Sequence, residues 1–294
     1  MVSNSLLQLW FCGFLATFCL GTIAGSQNQT KSLLDLAIER SGQNLNSRVI
    51  GGSPATIAKN PWQVALVYSG SANNLTAQFC GGSIVAQYWV LTAAHCIDQS
   101  KPASFIAVLS GTDSLASGGV RSPVAAYRVH ERFVKQADDS YDFDIALLKM
   151  EPTGPPLRGT SILGLSASTE NIAVGTTVHI TGWGATERTM QPTIILQYAD
   201  THYVDTTTIC NAKKSYDGKI NENMLCAGEK NGGIDTCQSD SGGPASVLSG
   251  TVYHLVGISS WGYGCGDPDM YGVYTRVSTF REWIKQKTNS EVNW

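Results

Sequence analysis

The 294-residue sequence contains few charged residues, and neither sign of charge dominates. Charged side chains make up 15% of the chain, and the formal net charge is −3. Because the chain has no basic excess, it lacks the attraction that nucleic acids and anionic membranes require, and we expect neither as a partner. Hydrophobic residues make up 43% of the sequence, which indicates a globular protein with a large core.

Pairs of the form Cys-x-x-Cys are absent, and this absence disfavours a structural zinc site. The chain has eight cysteines, of which Cys12 and Cys19 lie in an apolar leader. The other cysteines are even in number, and in an exported protein they are expected to form disulfides. Their pairing cannot be chosen from the sequence pattern alone.

Lys and Arg are also absent from the start of the chain, where residues 6–23 are almost entirely apolar. Small residues follow, and we predict a secretory signal peptide over residues 1–25. The alternative is an uncleaved signal anchor, because the apolar run approaches the length that spans a bilayer. The signal-peptide interpretation predicts a secreted, extracellular protein without stable membrane association.

Residues 26–48 are polar, contain no cysteine and include one short amphipathic stretch. We interpret them as a propeptide that no disulfide would retain after cleavage. The rest of the chain, residues 49–294, is then one domain.

Short runs rich in Val, Ile, Tyr and Trp dominate from residue 62 onward, separated by Gly, Ser, Asn and Pro. This pattern is typical of an all-β barrel or sandwich. A convincing helical pattern occurs at the C-terminus, where apolar residues between positions 280 and 287 fall on one face. We expect Ser278 or Thr279 to cap that helix.

Three separate segments carry the residue types of nucleophilic catalysis: TAAHC at residues 92–96, DFDIALL at 142–148 and CQSDSGGP at 237–244. A serine hydroxyl is a poor nucleophile at neutral pH, so it needs a neighbouring base and a third group that orients the base. His95, Asp144 and Ser241 are the candidate base, orienting carboxylate and nucleophile.

These motifs, in this order, resemble the trypsin-like serine endopeptidases of the chymotrypsin fold over residues 49–294. The resemblance implies an all-β protein with two six-stranded antiparallel β-barrels and a C-terminal helix. The barrels would cover about residues 64–160 and 175–275, with the active site between them. His95 and Asp144 would come from the first barrel and Ser241 from the second.

Other histidines and one other aspartate compete for these roles. The resemblance selects Asp144 because it directly precedes the apolar run IALL, so we expect Asp142 to be a solvated loop carboxylate. We expect the remaining histidines to lie on the surface, or in the core with their hydrogen bonds satisfied: His130, His179, His202 and His254.

The resemblance also implies activation by cleavage after Arg48. The new ammonium group of Val49 would then insert into the protein and pair with Asp240, next to the nucleophile. Because a buried carboxylate without a partner is costly, this pairing would switch the enzyme on.

Substrate preference follows from the same resemblance. Asp235, six residues before the nucleophile, would form the floor of the primary pocket, and Gly262 and Gly272 would form its open walls. A buried carboxylate there favours Arg or Lys before the cleaved bond. Ser260 and the backbone of Trp261 and Gly262 would align the substrate as an added strand.

The disulfides implied by the resemblance are Cys80 with Cys96, Cys210 with Cys226, and Cys237 with Cys265. The first would close the loop that presents His95. The third would join the segment of the nucleophile to the segment of Trp261.

One residue departs from the family pattern. The oxyanion hole would use the backbone N–H groups of Ser241 and Ser239, and the family has glycine where this chain has Ser239. If the Ser239 backbone cannot adopt the required orientation, the loss of one donor slows turnover roughly a hundred- to a thousandfold. The alternative to an active but more selective protease is therefore a catalytically weak or silent binding protein on the same fold.

We expect no cofactor and no metal, since the loop at residues 111–126 offers one carboxylate, Asp113, to a calcium ion. The expected partners are peptide or protein substrates with Arg or Lys at the cleaved bond, and protein inhibitors of proteases. We expect a monomer.

Overall fold

The computed structural model describes residues 52–157, 164–165, 172–184, 193–233, 240–264 and 266–292. Its first strands, in chain order, are β1 (Ser53–Pro54), β2 (Gln63–Tyr68), β3 (Gln78–Ala86), β4 (Trp89–Thr92), β5 (Ile106–Ser110), β6 (Val120–Val129), β7 (Val134–Lys135), β8 (Tyr141–Asp142) and β9 (Ala146–Met150). They are followed by β10 (Gly164–Leu165), β11 (Thr177–Gly182), β12 (Gln197–Val204), β13 (Met224–Ala227), β14 (Pro244–Ser249), β15 (Val252–Trp261) and β16 (Gly272–Arg276).

The first barrel is closed by six antiparallel strands in the order β2-β3-β4-β9-β6-β5, with β5 pairing back onto β2. Its strands contain many Val, Ile and Leu residues, which suits a surface buried on the barrel interior. Val64, Leu66, Leu91 and Leu148 have no exposed surface and lie in its core.

The second barrel follows the order β12-β11-β14-β15-β16-β13 and closes through a pairing of β12 with β13. Its core includes Val178, Ile180, Leu225 and Tyr274. The expected fold, two six-stranded antiparallel barrels with a C-terminal helix, is confirmed. Among the described residues, no helix is long and apolar enough to cross a membrane.

The α-helices in the described part of the chain are short. Helix α1 (Asn74–Ala77) lies between β2 and β3, and its N-cap Asn73 accepts a hydrogen bond from the Leu75 N–H. Helix α2 (Arg281–Lys287) follows a 3₁₀ turn, Val277–Phe280. Phe280 and Ile284 of this region are buried in the core cluster of the first barrel, so the chain returns from the second barrel to pack on the first.

The expected helix cap at Ser278 or Thr279 is wrong. The α-helix begins after Phe280, which makes no side-chain cap hydrogen bond. The hydroxyl of Thr279 instead donates to the Glu222 carbonyl at 3.1 Å. The 3₁₀ turn shifts the start of the α-helix by a few residues, and the apolar pattern alone does not distinguish the two helix types.

Candidate active site

His95 lies in a 3₁₀ turn, Ala94–Cys96, directly after β4. Its ring Nδ1 is 2.7 Å from Asp144 Oδ2, and its backbone N–H donates to Asp144 Oδ1 at 2.8 Å. Asp144 is 1% exposed. Both carboxylate oxygens therefore hold the histidine, one through the ring and one through the main chain, which fixes the orientation that a general base requires.

The second barrel supplies further hydrogen bonds to Asp144. Ser260 Oγ, on β15, donates to Asp144 Oδ2 at 2.5 Å, and Thr275 Oγ1, on β16, donates to the Asp144 carbonyl at 2.7 Å. A buried carboxylate requires such donors because it has lost its water. The resemblance implied a role for Ser260 in substrate alignment. This contact of its side chain was not predicted, since no local pattern shows which hydroxyl will face a distant carboxylate.

Tyr141 stacks on the imidazole of His95, with ring centroids 4.6 Å apart and an angle of 10° between the planes. Burial raises the pKa of the Tyr141 hydroxyl above its ordinary value, so the ring that covers the base stays neutral at physiological pH. Sequence reasoning missed this residue. Its only local signal is an aromatic side chain three residues before Asp144.

Ser241 lies in a tight turn between the barrels. The Gly243 N–H donates to the Asp240 carbonyl, the Gly242 N–H donates to the Ser259 carbonyl, and the Ser241 carbonyl accepts from the Gly81 N–H, each at 2.8 Å. The position of the Ser241 backbone is thus set by both barrels.

The turn requires a glycine after Ser241. Gly242 has a φ of +81°, and a Cβ atom there would lie 2.2 Å from Thr92 Oγ1. Thr92 is buried and its hydroxyl donates to the Gly81 carbonyl at 2.8 Å, so it cannot move away freely. The sequence prediction that this glycine permits the turn agrees with the backbone conformation.

The disulfide between Cys80 and Cys96 lies close to both the base and the segment of the nucleophile. Cys96 Sγ is 3.9 Å from His95 Nε2 and 3.7 Å from the Ser241 carbonyl oxygen. The structure therefore brings the segments of His95 and Ser241 together at one sulfur atom. The second implied bridge, Cys210 with Cys226, is also present; Cys237 and Cys265 lie outside the described residues, and their pairing stays a prediction.

Asp240 is 2% exposed, and its Oδ1 accepts a hydrogen bond from the Gly184 N–H at 2.8 Å. A Cβ atom on Gly182 would lie 1.9 Å from Asp240 Oδ1, and one on Gly184 would lie 2.3 Å from Oδ2. Two glycines thus make room for a buried carboxylate beside the nucleophile. Its predicted partner, Val49, and the cleavage residue Arg48 lie outside the described residues.

The walls predicted for the substrate pocket are only partly described. Gly262 follows the end of β15, and a Cβ atom there would meet the Tyr216 hydroxyl oxygen at 3.5 Å, an ordinary contact. Packing alone therefore does not require glycine at this position. Gly272 begins β16 opposite Ala227 of β13, while Asp235 and Ser239 lie outside the described residues.

Trp261 is the last residue of β15 and is half-buried. Its indole ring packs edge-on against Tyr216, with centroids 5.1 Å apart, and lies 5.7 Å from the Tyr263 ring. The three aromatic rings form a wall beside the point where β15 ends.

Asp142 is not the solvated carboxylate that the sequence suggested. Its Oδ1 accepts from Asn223 Nδ2 at 2.8 Å, and its Oδ2 accepts from Asn221 Nδ2 at 2.9 Å. Both amides come from the segment before β13, so Asp142 joins the two barrels. The partners are about 80 residues away in sequence. A prediction from neighbouring residues therefore placed Asp142 in solvent.

One group of side chains in the described part of the chain has the spacing of a metal site: Cys80, His95 and Cys96. Both cysteines are joined in a disulfide. They therefore carry no thiolate for a metal, and the group does not fit a metal centre.

The sequence match agrees with the fold and with this geometry. A model of the protein family described as Trypsin matches residues 49–284. The match covers both barrels and includes His95, Asp144 and Ser241. The chain therefore belongs to the trypsin family and is a trypsin-like serine protease.

Proposed function

We propose that the protein is a secreted serine endopeptidase that hydrolyses peptide bonds after Arg or Lys and is activated by cleavage after Arg48. The observation that carries this proposal is the pair of partly buried His95 and buried Asp144 beside the turn of Ser241. A base held through both oxygens of a carboxylate, next to a tight glycine turn that presents a serine, is the arrangement that acyl transfer needs.

In this reaction Ser241 Oγ attacks the carbonyl carbon of the substrate, and His95 Nε2 accepts the hydroxyl proton. Asp144 keeps Nδ1 protonated and stabilises the imidazolium. The C–N bond then breaks as His95 returns the proton to the leaving amine, which leaves an acyl ester on Ser241. A water molecule, deprotonated by His95, hydrolyses the ester and restores the serine.

Negative charge develops on the substrate carbonyl oxygen during both steps. We assign its stabilisation to the backbone N–H groups of Ser241 and Ser239. Each such donor contributes about 2.7–4 kcal/mol to the transition state in serine proteases. Ser239 keeps its N–H, so the proposal requires only that its backbone adopts the orientation of the family's glycine.

The preference for Arg or Lys rests on Asp235. A carboxylate at the floor of the primary pocket would form a charge-assisted hydrogen bond with a guanidinium or ammonium group. An aromatic side chain would leave that charge unpaired, and sites of this kind reject such substrates strongly. Gly262 and Gly272 would leave the pocket open to a long side chain.

The activation step rests on Asp240 and the glycines around it. Cleavage after Arg48 creates a cationic terminus at Val49, and the buried carboxylate of Asp240 supplies the matching charge. The pair would order the backbone of the neighbouring oxyanion hole. We propose accordingly that residues 1–25 are a signal peptide, residues 26–48 a propeptide and residues 49–294 the protease domain.

The second candidate function is binding without turnover, and Ser239 is the observation that favours it. A side chain at this position restricts the backbone of one oxyanion donor. Ser239→Gly separates the two functions. If the wild type is active, and the substitution raises its turnover or its affinity for protein inhibitors, the result supports the protease. A silent wild type that Ser239→Gly activates supports the binding protein.

Hydrolysis of short chromogenic peptides tests the proposal. The substrates end in Arg, Lys, Phe or Ala before the amide, the protein is cleaved after Arg48, and Ser241→Ala is the blank. Rapid hydrolysis after Arg and Lys that the blank lacks supports both the triad and the role of Asp235. Absence of hydrolysis, in a sample with a free Val49 terminus, contradicts the proposal.

A further inference from the structure

The loop between β2 and β3 carries an accessible asparagine. Residues 74–76 read Asn-Leu-Thr, which is the acceptor pattern for N-linked glycosylation. The same pattern occurs at residues 28–30, within the segment interpreted as a propeptide. Asn74 is therefore the acceptor that would stay with the protease domain, and neither the catalytic residues nor the predicted substrate pocket includes it.

The fold presents this triplet at the surface. Asn74 begins the short helix α1, whose N-cap Asn73 accepts a hydrogen bond from the Leu75 N–H at 2.9 Å. Asn73 and Thr76 are exposed, and Asn74 and Leu75 are partly exposed. Only the last residue of the helix, Ala77, is buried. A bulky saccharide on this loop therefore displaces no side chain of the barrel core.

The two polar atoms of the Asn74 amide face different surroundings. Its Oδ1 accepts a hydrogen bond from Arg121 Nε at 2.7 Å. Arg121, on β6, also donates to the Ser71 carbonyl through Nη1, so it ties the loop to the first barrel at two points. Asn74 Nδ2 makes no hydrogen bond within the described part of the chain, and it is not buried. The oxygen is thus held against the protein, while the nitrogen is open to solvent.

This orientation suits a glycosylated product. The sugar is attached to the amide nitrogen, and the amide oxygen remains a hydrogen-bond acceptor afterwards. The hydrogen bond from Arg121 to Asn74 can therefore persist in the modified protein, with the saccharide extending from Nδ2 into solvent. Because the transfer takes place before the chain folds, the fold has to accommodate the product and need not assist the reaction.

We propose that Asn74 is an N-glycosylation site of the secreted protein. A bond forms between Asn74 Nδ2 and the anomeric carbon of an oligosaccharide, and the bond from that carbon to the pyrophosphate of its lipid carrier breaks. The lipid pyrophosphate leaves, and the proton lost from Nδ2 passes to a base of the transferase. The hydroxyl of Thr76 completes the pattern that the transferase recognises. This inference rests on the export that the proposed function includes, since the transferase lies in the secretory pathway.

The test is secretion of the full chain from eukaryotic cells that make the lipid-linked oligosaccharide. After cleavage behind Arg48, the protease domain should lose apparent mass on a gel when it is treated with peptide N-glycosidase. This enzyme releases the sugar and converts the linked asparagine to aspartate, and peptide mass spectrometry should find that conversion at Asn74. Removal of the propeptide also removes the acceptor at Asn28, so a sugar that remains belongs to the protease domain.

Variants of Thr76 separate the modification from the shape of the loop. Thr76→Val removes the hydroxyl but keeps the branched side chain, so it should abolish the mass shift. Thr76→Ser keeps a hydroxyl and should retain the shift. Asn73→Asp is the matched control: its carboxylate can still cap helix α1, it lies outside the triplet, and the shift should remain. Circular dichroism of the secreted variants confirms the fold.

A secreted, folded wild type without sugar on Asn74 overturns the inference. A mass shift that Thr76→Val retains also overturns it, because that sugar is attached elsewhere. If the chain is not exported, the proposed secretion is wrong, and exchange of residues 1–25 for a leader of known function then delivers the same protein to the transferase. Sugar on Asn74 of that exported protein supports the site, and its absence contradicts the site.

Discussion

The two barrels hold their parts of the site by different means. In the first barrel, His95 is fixed by side-chain hydrogen bonds to Asp144, a carboxylate with 1% exposure. In the second barrel, Ser241 is fixed by backbone hydrogen bonds around Gly242, whose φ of +81° suits glycine. The position of the base therefore depends on buried polar side chains, whereas the position of the nucleophile depends on the lack of a side chain at Gly242. Substitutions should damage the two halves in different ways.

Asp144→Asn should give the largest loss. The amide has nearly the shape of the carboxylate, but it cannot stabilise an imidazolium, and it favours the wrong tautomer of His95. In serine proteases such a change lowers kcat by about 10⁴-fold. Chromogenic amides measure kcat, and circular dichroism confirms the fold. An activity within about tenfold of wild type would show that Asp144 does not orient the base.

Gly242→Ala tests the backbone turn that holds Ser241. The new Cβ atom would lie 2.2 Å from Thr92 Oγ1 at a positive φ. We expect a loss of about 2–5 kcal/mol in the free energy of unfolding, together with loss of turnover. Urea unfolding measures the first effect.

Gly250→Ala is the matched control for that substitution. Gly250 also has a positive φ, +62°, but a Cβ atom there would meet nothing within 4 Å. It should lose only about 1–2 kcal/mol and keep its activity. Equal losses for the two variants would show that the packing around Gly242 is unimportant.

Ser260→Ala removes a hydrogen bond that the second barrel donates to Asp144 of the first barrel. Hydrogen bonds to charged groups contribute about 1.5–3 kcal/mol. We expect kcat to fall about tenfold or more while KM changes little. Ser246→Ala removes a hydroxyl that donates to the His179 carbonyl at 3.2 Å and serves as the control. A rise in KM alone would indicate that Ser260 binds substrate and does not position Asp144.

Glu131→Gln should have the smallest effect. Glu131 binds Lys287 Nζ at 2.5 Å and Trp283 Nε1 at 2.9 Å, which ties helix α2 to the first barrel. The hydrogen bond from Lys287 lowers the pKa of Glu131 from 4.5 to about 2. The contact therefore stabilises the folded protein above pH 4.5 and loses this contribution as the pH falls toward 2.

Because the pair is exposed to solvent, we expect Glu131→Gln to cost less than about 1 kcal/mol at neutral pH. The difference between wild type and variant should shrink between pH 4.5 and pH 2. Thermal unfolding across this range measures it. A difference that grows on acidification would contradict the assigned pKa shift.

The features that could be predicted from the sequence are those that depend on residues close together in the chain. Short β-rich runs predicted an all-β barrel or sandwich, whereas the two barrels and the choice of Asp144 over Asp142 followed from the resemblance to the trypsin-like proteases. The contacts that sequence reasoning missed join segments far apart in the chain: Asp142 with Asn221 and Asn223, and Ser260 with Asp144. Such contacts depend on how the barrels pack, and no local pattern encodes them.

The helix start shows a second limit. The apolar face near Ile284 was visible in the sequence, but the 3₁₀ turn before it was not, because both helix types place similar residues against the core. The stack of Tyr141 on His95 was missed for a related reason. An aromatic residue near a catalytic aspartate packs equally well into a core, and only the fold decides which.

The most direct test of the active site is covalent labelling of Ser241. An organophosphorus fluoridate transfers its phosphoryl group to a serine oxygen and releases fluoride, but only where a base activates the hydroxyl. The protein cleaved after Arg48 should carry one adduct, on Ser241, as read by peptide mass spectrometry, and Asp144→Asn should slow the labelling strongly. Failure of the cleaved, folded protein to label at Ser241 would contradict the assignment of nucleophile and base.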